Sequence, residues 1–113
     1  MHLYTKLKPH RKRSGFTQEG LAFLVGDKKH SAISRYEAGD RRPDLRTAVA
    51  FKVLFASDLR ELFPGVHAQV SAEIAERARA LSEQIRSQGG GRRAGYKLRM
   101  LFRLQREGLD GGI

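Results

Sequence analysis

The chain has 113 residues, carries 22 Lys and Arg against 12 Asp and Glu, and contains no cysteine. Its formal net charge of +10 is typical of proteins that bind nucleic acids or other polyanions. The lack of cysteine excludes disulfides and cysteine-rich zinc sites, and no apolar run is long enough for a signal peptide or a membrane span. We therefore expect a cytoplasmic protein with one small core and an appendage.

Two short helices that meet at a glycine turn are predicted near the start of the chain. Thr17 can cap the first of them, and Gly26 ends it. Its core face is predicted to contain Leu21, Ala22 and Leu24. The second helix carries Ile33 and Tyr36 and ends at Gly39, a residue type common just past helix C-termini.

Two helices this short cannot bury their own apolar sides, so further helices have to pack against them, and the sequence predicts three. One precedes the pair, beginning at Lys8–Pro9 with Pro9 at the first helical position and stopping at Gly15. After the pair, Asp44 can cap a helix and Ser57 a last short one. The core-facing residues of these two helices are predicted to be Leu45, Ala48, Phe51, Phe55, Leu59, Leu62 and Phe63. Residues 1–65 are therefore predicted to form an all-α domain of five helices.

Three motifs follow one another across residues 3–64: LxxxRKRSGFTQEGLAFLVG, ISRYEAGDRRPDLRTA and SDLRELF. In this order they resemble the lambda-repressor/Cro-like helix-turn-helix family, also called the xenobiotic-response-element family. The resemblance implies a DNA-binding regulator of transcription whose third helix enters the major groove. It also implies that Gln18 contacts a DNA phosphate and that Arg11 pairs with Glu37, which ties the first helix to the reading helix.

The chain departs from the family pattern by one surplus residue between Gly26 and Ile33. If the block from Ile33 to Glu37 anchors the helix to the core, the surplus falls in the turn; a shift of one residue would change the assignment. The groove-facing residues predicted on this basis are Lys29, His30, Ser31, Ser34 and Arg35. Their donors suit the base edges of the major groove, where Arg to guanine is the commonest specific contact.

Phosphate contacts need positive charge or N–H donors around the reading helix. Four residues are placed for them: Gln18, Lys28, Arg41 and Arg42. We expect these contacts to set affinity rather than the choice of sequence.

An amphipathic helix is predicted over residues 66–88, and two uses of its apolar stripe stay open: a dimer seam, or packing on the five-helix core. Residues 89–91 are predicted to be a flexible glycine linker.

Residues 92–113 are predicted to form a basic amphipathic helix and a flexible tail, GLDGGI. The apolar arc of this helix comprises Leu98, Met100, Leu101, Phe102 and Leu104. Because five apolar residues on one arc have to be buried against another apolar surface, packing within the chain or a dimer contact is favoured over direct contact with DNA.

No arrangement of residues points to catalysis, and we expect no cofactor. The four histidines lack the spacing of a metal site, and no ordered acid completes a triad with His30 and Ser31 or Ser34. The sequence favours a sequence-specific DNA-binding transcriptional regulator that binds double-stranded DNA as a homodimer and has no membrane association. Two alternatives stay open: an antitoxin-type autorepressor that binds a protein partner, and a non-specific basic binder of RNA or nucleoid DNA.

Overall fold

The part of the chain that the structure describes is all-helical, which confirms the predicted fold class. In this computed structural model it comprises residues 3–27 and 29–110, with side chains as far as Glu107. The helices are α1 Leu7–Arg13, α2 Gln18–Val25, α3 His30–Ala38, α4 Leu45–Phe55, α5 Leu59–Leu62, α6 Pro64–Gln88 and α7 Ala94–Asp110, with a 3-10 turn at Gly91–Arg93. The chain divides into two compact units, one ending at Val66 and the other beginning at His67.

The first unit packs its helices around one apolar core. The fully or nearly fully buried members are Leu7, Leu21, Ala22, Val25, Ala32, Ile33, Tyr36, Phe51, Leu62 and Phe63. Phe51 on α4 lies at the centre, with its ring 6.0 Å from that of Tyr36 and 6.1 Å from that of Phe63. Because Tyr36 belongs to α3, these aromatic contacts fix one side of that helix to the rest of the unit.

The caps and the glycine turn of the central helix pair form as predicted. The Thr17 hydroxyl oxygen accepts a hydrogen bond from the Gly20 N–H at 2.9 Å and so caps α2. Gly26 ends α2 with φ of 80°, and Gly39 ends α3 with φ of 78°, both in the left-handed region that favours glycine. The local sequence therefore sets both ends of α2 and the end of α3.

An extended N-terminal strap, residues 3–6, lies along the end of α3 and the beginning of α6. Three backbone hydrogen bonds attach it: Leu3 N–H to Gly39 O (3.2 Å), Lys6 N–H to Leu62 O (2.9 Å) and Gly65 N–H to Tyr4 O (2.9 Å). The Thr5 hydroxyl also donates to the backbone carbonyl of Glu37 at 3.1 Å. A Cβ atom at Gly39 would overlap the strap backbone, so the close approach requires glycine there.

Two predicted helix starts in the first unit are wrong by one or two residues. The first helix begins at Leu7, so Pro9 is its third residue rather than its first. Proline fits there equally well because none of the first four N–H groups of a helix has a partner within the helix. The cap of α5 is Asp58, whose carboxylate accepts from the Glu61 N–H at 3.0 Å, and not the neighbouring Ser57.

Three predicted core residues of the first unit are exposed instead: Leu24, Leu45 and Leu59. On α2 the buried face is completed by Val25 rather than Leu24. Leu45 is the first residue of α4 and is 78% exposed, because the helix meets the core one turn later through Ala48 and Phe51.

The second unit is a helical hairpin in which the later part of α6 packs against α7. Its buried residues are Ala78, Ile85 and Leu101, with Ala94, Leu98 and Leu104 packed around them. Ser82 is buried in the same interface, and its hydroxyl oxygen accepts a hydrogen bond from Gln105 at 3.3 Å. The stripe of α6 therefore contacts α7 through Ala78 and Ile85, whereas Val70, Ile74 and Leu81 of the same stripe are exposed and Val66 packs on the core of the first unit.

Several details of this hairpin differ from the sequence-based expectations. The helix predicted from residue 66 begins at Pro64, and α7 continues through Asp110, so only residues 111–113 of the expected tail lie outside the described residues. Gly91 opens a 3-10 turn rather than ending a linker. Met100 and Phe102 are exposed, because the side of α7 that faces α6 is centred on Leu98, Leu101 and Leu104.

No helix within the described residues is both long enough and apolar enough to span a membrane.

Candidate nucleic-acid interface

The helix α3 turns one side to the core and the other to solvent. Ala32, Ile33 and Tyr36 are buried. The five residues predicted to contact bases are all exposed: Lys29, His30, Ser31, Ser34 and Arg35. Because the last four lie at i, i+1, i+4 and i+5 of one helix, they share one outward face.

A short turn connects the end of α2 to the beginning of α3. Residues 27–29 connect Gly26 to the first residue of α3, His30. The Asp27 carboxylate accepts a hydrogen bond from the Lys29 N–H at 3.3 Å, which orders the segment that leads into the helix. Lys28, a predicted phosphate contact, lies outside the described residues.

A buried polar network joins three helices at the base of α3. The guanidinium of Arg11 donates through Nε and NH2 to the two carboxylate oxygens of Glu37, and through NH1 to the Phe16 carbonyl at 3.0 Å. Only 11% of the Arg11 side chain and 4% of the Glu37 side chain are exposed. A bidentate pair of this kind fixes both distance and orientation, so it sets how α3 lies against α1.

Gln18 belongs to the same network. Its side-chain amide donates to Glu37 Oε1 at 3.0 Å, which leaves one amide hydrogen for another acceptor. Gln18 is the first residue of α2, where backbone N–H groups lack partners within the helix. The residue implied as a phosphate contact is therefore held in place by the ion pair beneath it.

Two arginines follow α3. The guanidinium of Arg41 lies over the Tyr36 ring, 5.7 Å from its centroid, and Arg42 beside it is exposed. Burial raises the pKa of the Tyr36 phenol, and the positive charge of Arg41 acts in the opposite direction. The contact between the guanidinium and the ring holds the Arg41 side chain beside the exposed face of α3.

A groove of about 600 Å³, open to solvent, separates α3 from the N-terminal end of α4. Four cationic residues line it: Lys29, Arg35, Arg41 and Arg46. Asp44 caps α4 there by accepting from the Thr47 N–H at 2.8 Å, and this hydrogen bond lowers the pKa of the Asp44 carboxyl. With Asp27 and Asp44 as the acidic residues of its lining, the groove carries an excess of positive charge.

Sequence reasoning did not single out Arg46. It occupies the second position of α4, two residues after the cap Asp44, where an arginine adds its charge to the unpaired N–H groups of a helix N-terminus. The signal that could have found it is the combination of a capping residue and an arginine close behind it.

The described residues contain no group of three or more His, Asp or Glu side chains that is suited to hold a metal ion. What the surface offers instead is a row of donors and cations on a rigidly held helix. Such a surface suits an anionic partner that presents hydrogen-bond acceptors.

Comparison with known proteins gives one match. The helix-turn-helix family model matches residues 7–62, the segment from the first residue of α1 to the last residue of α5. No curated protein and no solved structure matches the chain significantly. The matched family consists of DNA-binding regulatory domains rather than enzymes. Through residues 7–62 the chain therefore belongs to the helix-turn-helix family of the Cro/C1 type, also called the XRE family.

Proposed function

We propose that this protein is a sequence-specific regulator of transcription that reads the major groove of DNA with the outward face of α3. One observation carries the proposal: four side chains that suit base edges, those of His30, Ser31, Ser34 and Arg35, are exposed on one face of α3. Ile33 and Glu37 of the same helix are held in the core and in the buried ion pair. An α-helix anchored in this way fits the width of the major groove.

Base reading and phosphate binding fall to different residues in this proposal. Arg35 is the first candidate for specificity, since its guanidinium can donate two hydrogen bonds to guanine. His30, Ser31, Ser34 and Lys29 offer further donors beside it. Arg41, Arg42 and Arg46, together with the first turn of α2 at Gln18, suit the phosphates on either side.

We also propose that the protein acts as a homodimer, because a single module covers too few base pairs for selectivity. An exposed apolar stripe on α4 supports this part of the proposal. It consists of Leu45, Val49 and Val53, spaced four residues apart and exposed by 78%, 46% and 75%. A second copy that covered this stripe would remove three large apolar side chains from water.

Selection of binding sites from random duplex DNA with the full chain tests the proposed function most directly. We expect a consensus with two-fold symmetry and half-sites about one helical turn apart. The Ser34→Arg variant, which changes only the outward face, should select a different consensus or none. Recovery of random sequence by the wild-type chain would contradict sequence-specific reading.

The oligomeric state is tested separately by light scattering and by binding to the selected DNA. We expect Val53→Lys to lower the dimer fraction and the cooperativity of binding. Phe23→Lys is the matched control for the light-scattering measurement alone, because Phe23 is 83% exposed in the same unit and lies on α2 rather than on the stripe, but lines a groove with His30. Equal effects of the two variants would contradict dimerisation through α4.

A further inference from the structure

The positive charge of the second unit is confined to one of its two helices. The helix α6 carries three arginines and three glutamates and is neutral. The segment from Arg92 to Glu107 carries six basic residues against one acid. Among the described residues of this segment, only Arg103 forms an ion pair, with Glu107 at 2.9 Å. A polyanion would therefore be attracted to α7 and not to α6.

Aromatic rings accompany these charges on the side of α7 that faces away from α6. Tyr96 is 70% exposed and Phe102 is 62% exposed. Arg99 lies over one face of the Tyr96 ring, 5.8 Å from its centroid, while Arg103 follows one turn later on the same side. Positive side chains interleaved with exposed rings are the surface with which proteins bind unpaired nucleic-acid bases and their backbone.

We propose that the outward face of α7 is a binding site for single-stranded nucleic acid. Arg99, Arg103 and Arg106, at i, i+4 and i+7, neutralise phosphates along the strand, and the rings of Tyr96 and Phe102 stack on unpaired bases. A double helix keeps its bases stacked on each other, so it offers phosphates to the arginines but no base faces to the rings. This site lies in the second unit and goes beyond the DNA reading proposed for α3.

The packing of the hairpin argues against an anionic membrane as the occupant. A helix that binds a membrane surface inserts its apolar face, and the apolar residues Leu98, Leu101 and Leu104 of α7 pack against α6 instead. The face that stays open is centred on arginine.

Fluorescence anisotropy with the full chain and a labelled single-stranded oligonucleotide of about 12 nucleotides tests the proposal, with the blunt duplex of the same sequence as comparison. We expect the single strand to bind more tightly than this duplex, which lacks the site selected by α3. Tyr96→Leu and Phe102→Leu should each weaken single-strand binding about ten-fold. Tyr96→Phe and Phe102→Tyr, which keep the rings, should retain it.

Charge is tested in the same assay. The double variant Arg99→Gln with Arg106→Gln should weaken the complex and reduce the slope of log K against log salt by about 1.4, or about 0.7 for each phosphate that is no longer neutralised. The control is Arg77→Gln with Arg86→Gln, which removes the same charge from exposed positions on α6 and should change binding little. Circular dichroism verifies that each variant keeps its helices.

The failure of this proposal is distinguishable from failure of the function proposed for α3. Arg35→Ala should weaken binding to the selected duplex and leave single-strand binding unchanged, and the α7 variants should do the reverse. The site is overturned if the leucine variants bind the single strand as well as wild type, or if polyglutamate competes as well as the unlabelled strand. It is also overturned if anionic phosphatidylglycerol vesicles bind the chain while the single strand does not.

Discussion

Arg11 on α1 and Glu37 on α3 form a buried, bidentate ion pair whose carboxylate also accepts a hydrogen bond from Gln18 on α2. Three helices thus share one carboxylate. Since α3 carries the proposed reading face on its other side, this pair connects the stability of the unit with the placement of that face.

Loss of Arg11 should be costly because it leaves the Glu37 charge buried without its partner. We expect Arg11→Ala to lower the free energy of unfolding by about 3 to 5 kcal/mol, measured by urea denaturation. Glu61→Gln is the control, since the Glu61 side chain is 48% exposed and its oxygens lie 3.6 Å from Lys6 and 3.7 Å from His10, and we expect a change below about 1 kcal/mol. Similar losses for the two variants would show that the pair is not buried in solution.

Gly26 and Gly39 provide a matched pair for backbone strain and close approach. They have nearly the same positive φ, but a Cβ atom meets open space at Gly26 and the strap backbone at Gly39. We expect Gly26→Ala to cost about 1 to 2 kcal/mol, which is the strain of the left-handed conformation alone. Gly39→Ala should cost clearly more in the same denaturation experiment. Equal costs would mean that the strap moves aside without penalty.

Arg35 and Arg41 should contribute differently to DNA binding. We expect Arg35→Ala to weaken binding to the selected duplex by about 1 to 3 kcal/mol and to relax preference at one base pair. Arg41→Ala should weaken binding to selected and random duplexes alike and lower the salt slope by about 0.9. Titrations of both duplexes at several salt concentrations measure these effects. Parallel losses on both duplexes for Arg35→Ala would refute a base contact.

The charge of the Asp44 cap should make stability depend on pH. The hydrogen bonds from Thr47 lower the pKa of the carboxyl in the folded chain below its ordinary value of 3.8. The stabilisation is therefore present above the unfolded pKa and is lost as the pH falls through the folded pKa. We expect wild type to exceed Asp44→Asn in stability at neutral pH, because asparagine caps without a charge. That difference should shrink below pH 3.8; a difference that persisted there would exclude the carboxylate as its source.

The features that sequence predicted correctly are local ones. The Thr17 cap and the glycines at the ends of α2 and α3 follow from hydrogen bonds and φ angles within a few residues. The choice between Ser57 and Asp58 was already harder, because both residue types cap helices and they are neighbours in the chain.

Long-range packing could not be predicted in this way. Periodicity indicates that a helix has an apolar side, but not which of its edge residues are buried in the folded chain. Leu45, a predicted core residue, and Met100, a predicted member of the apolar arc of α7, are both exposed. The helix that packs against α6 is α7, which follows a glycine turn. The periodicity of each helix predicts that it has an apolar side, but not that these two sides contact each other. The strap at residues 3–6 shows no periodicity that predicts its position, since its hydrogen bonds are made mainly by the backbone.

The strap also determines how α3 can open. Leu3 and Thr5 bond the strap to the end of α3, while its Tyr4 and Lys6 bond it to Gly65 and Leu62. Fraying of the last turn of α3 therefore has to break its bonds to the strap, which other segments hold in place. Amide hydrogens of Tyr36 and Glu37 should accordingly exchange with solvent deuterium only through an opening that also separates α3 from Leu3 and Thr5. The geometry with which α3 meets a ligand is then established during folding, and little ordering entropy is left to be lost upon association.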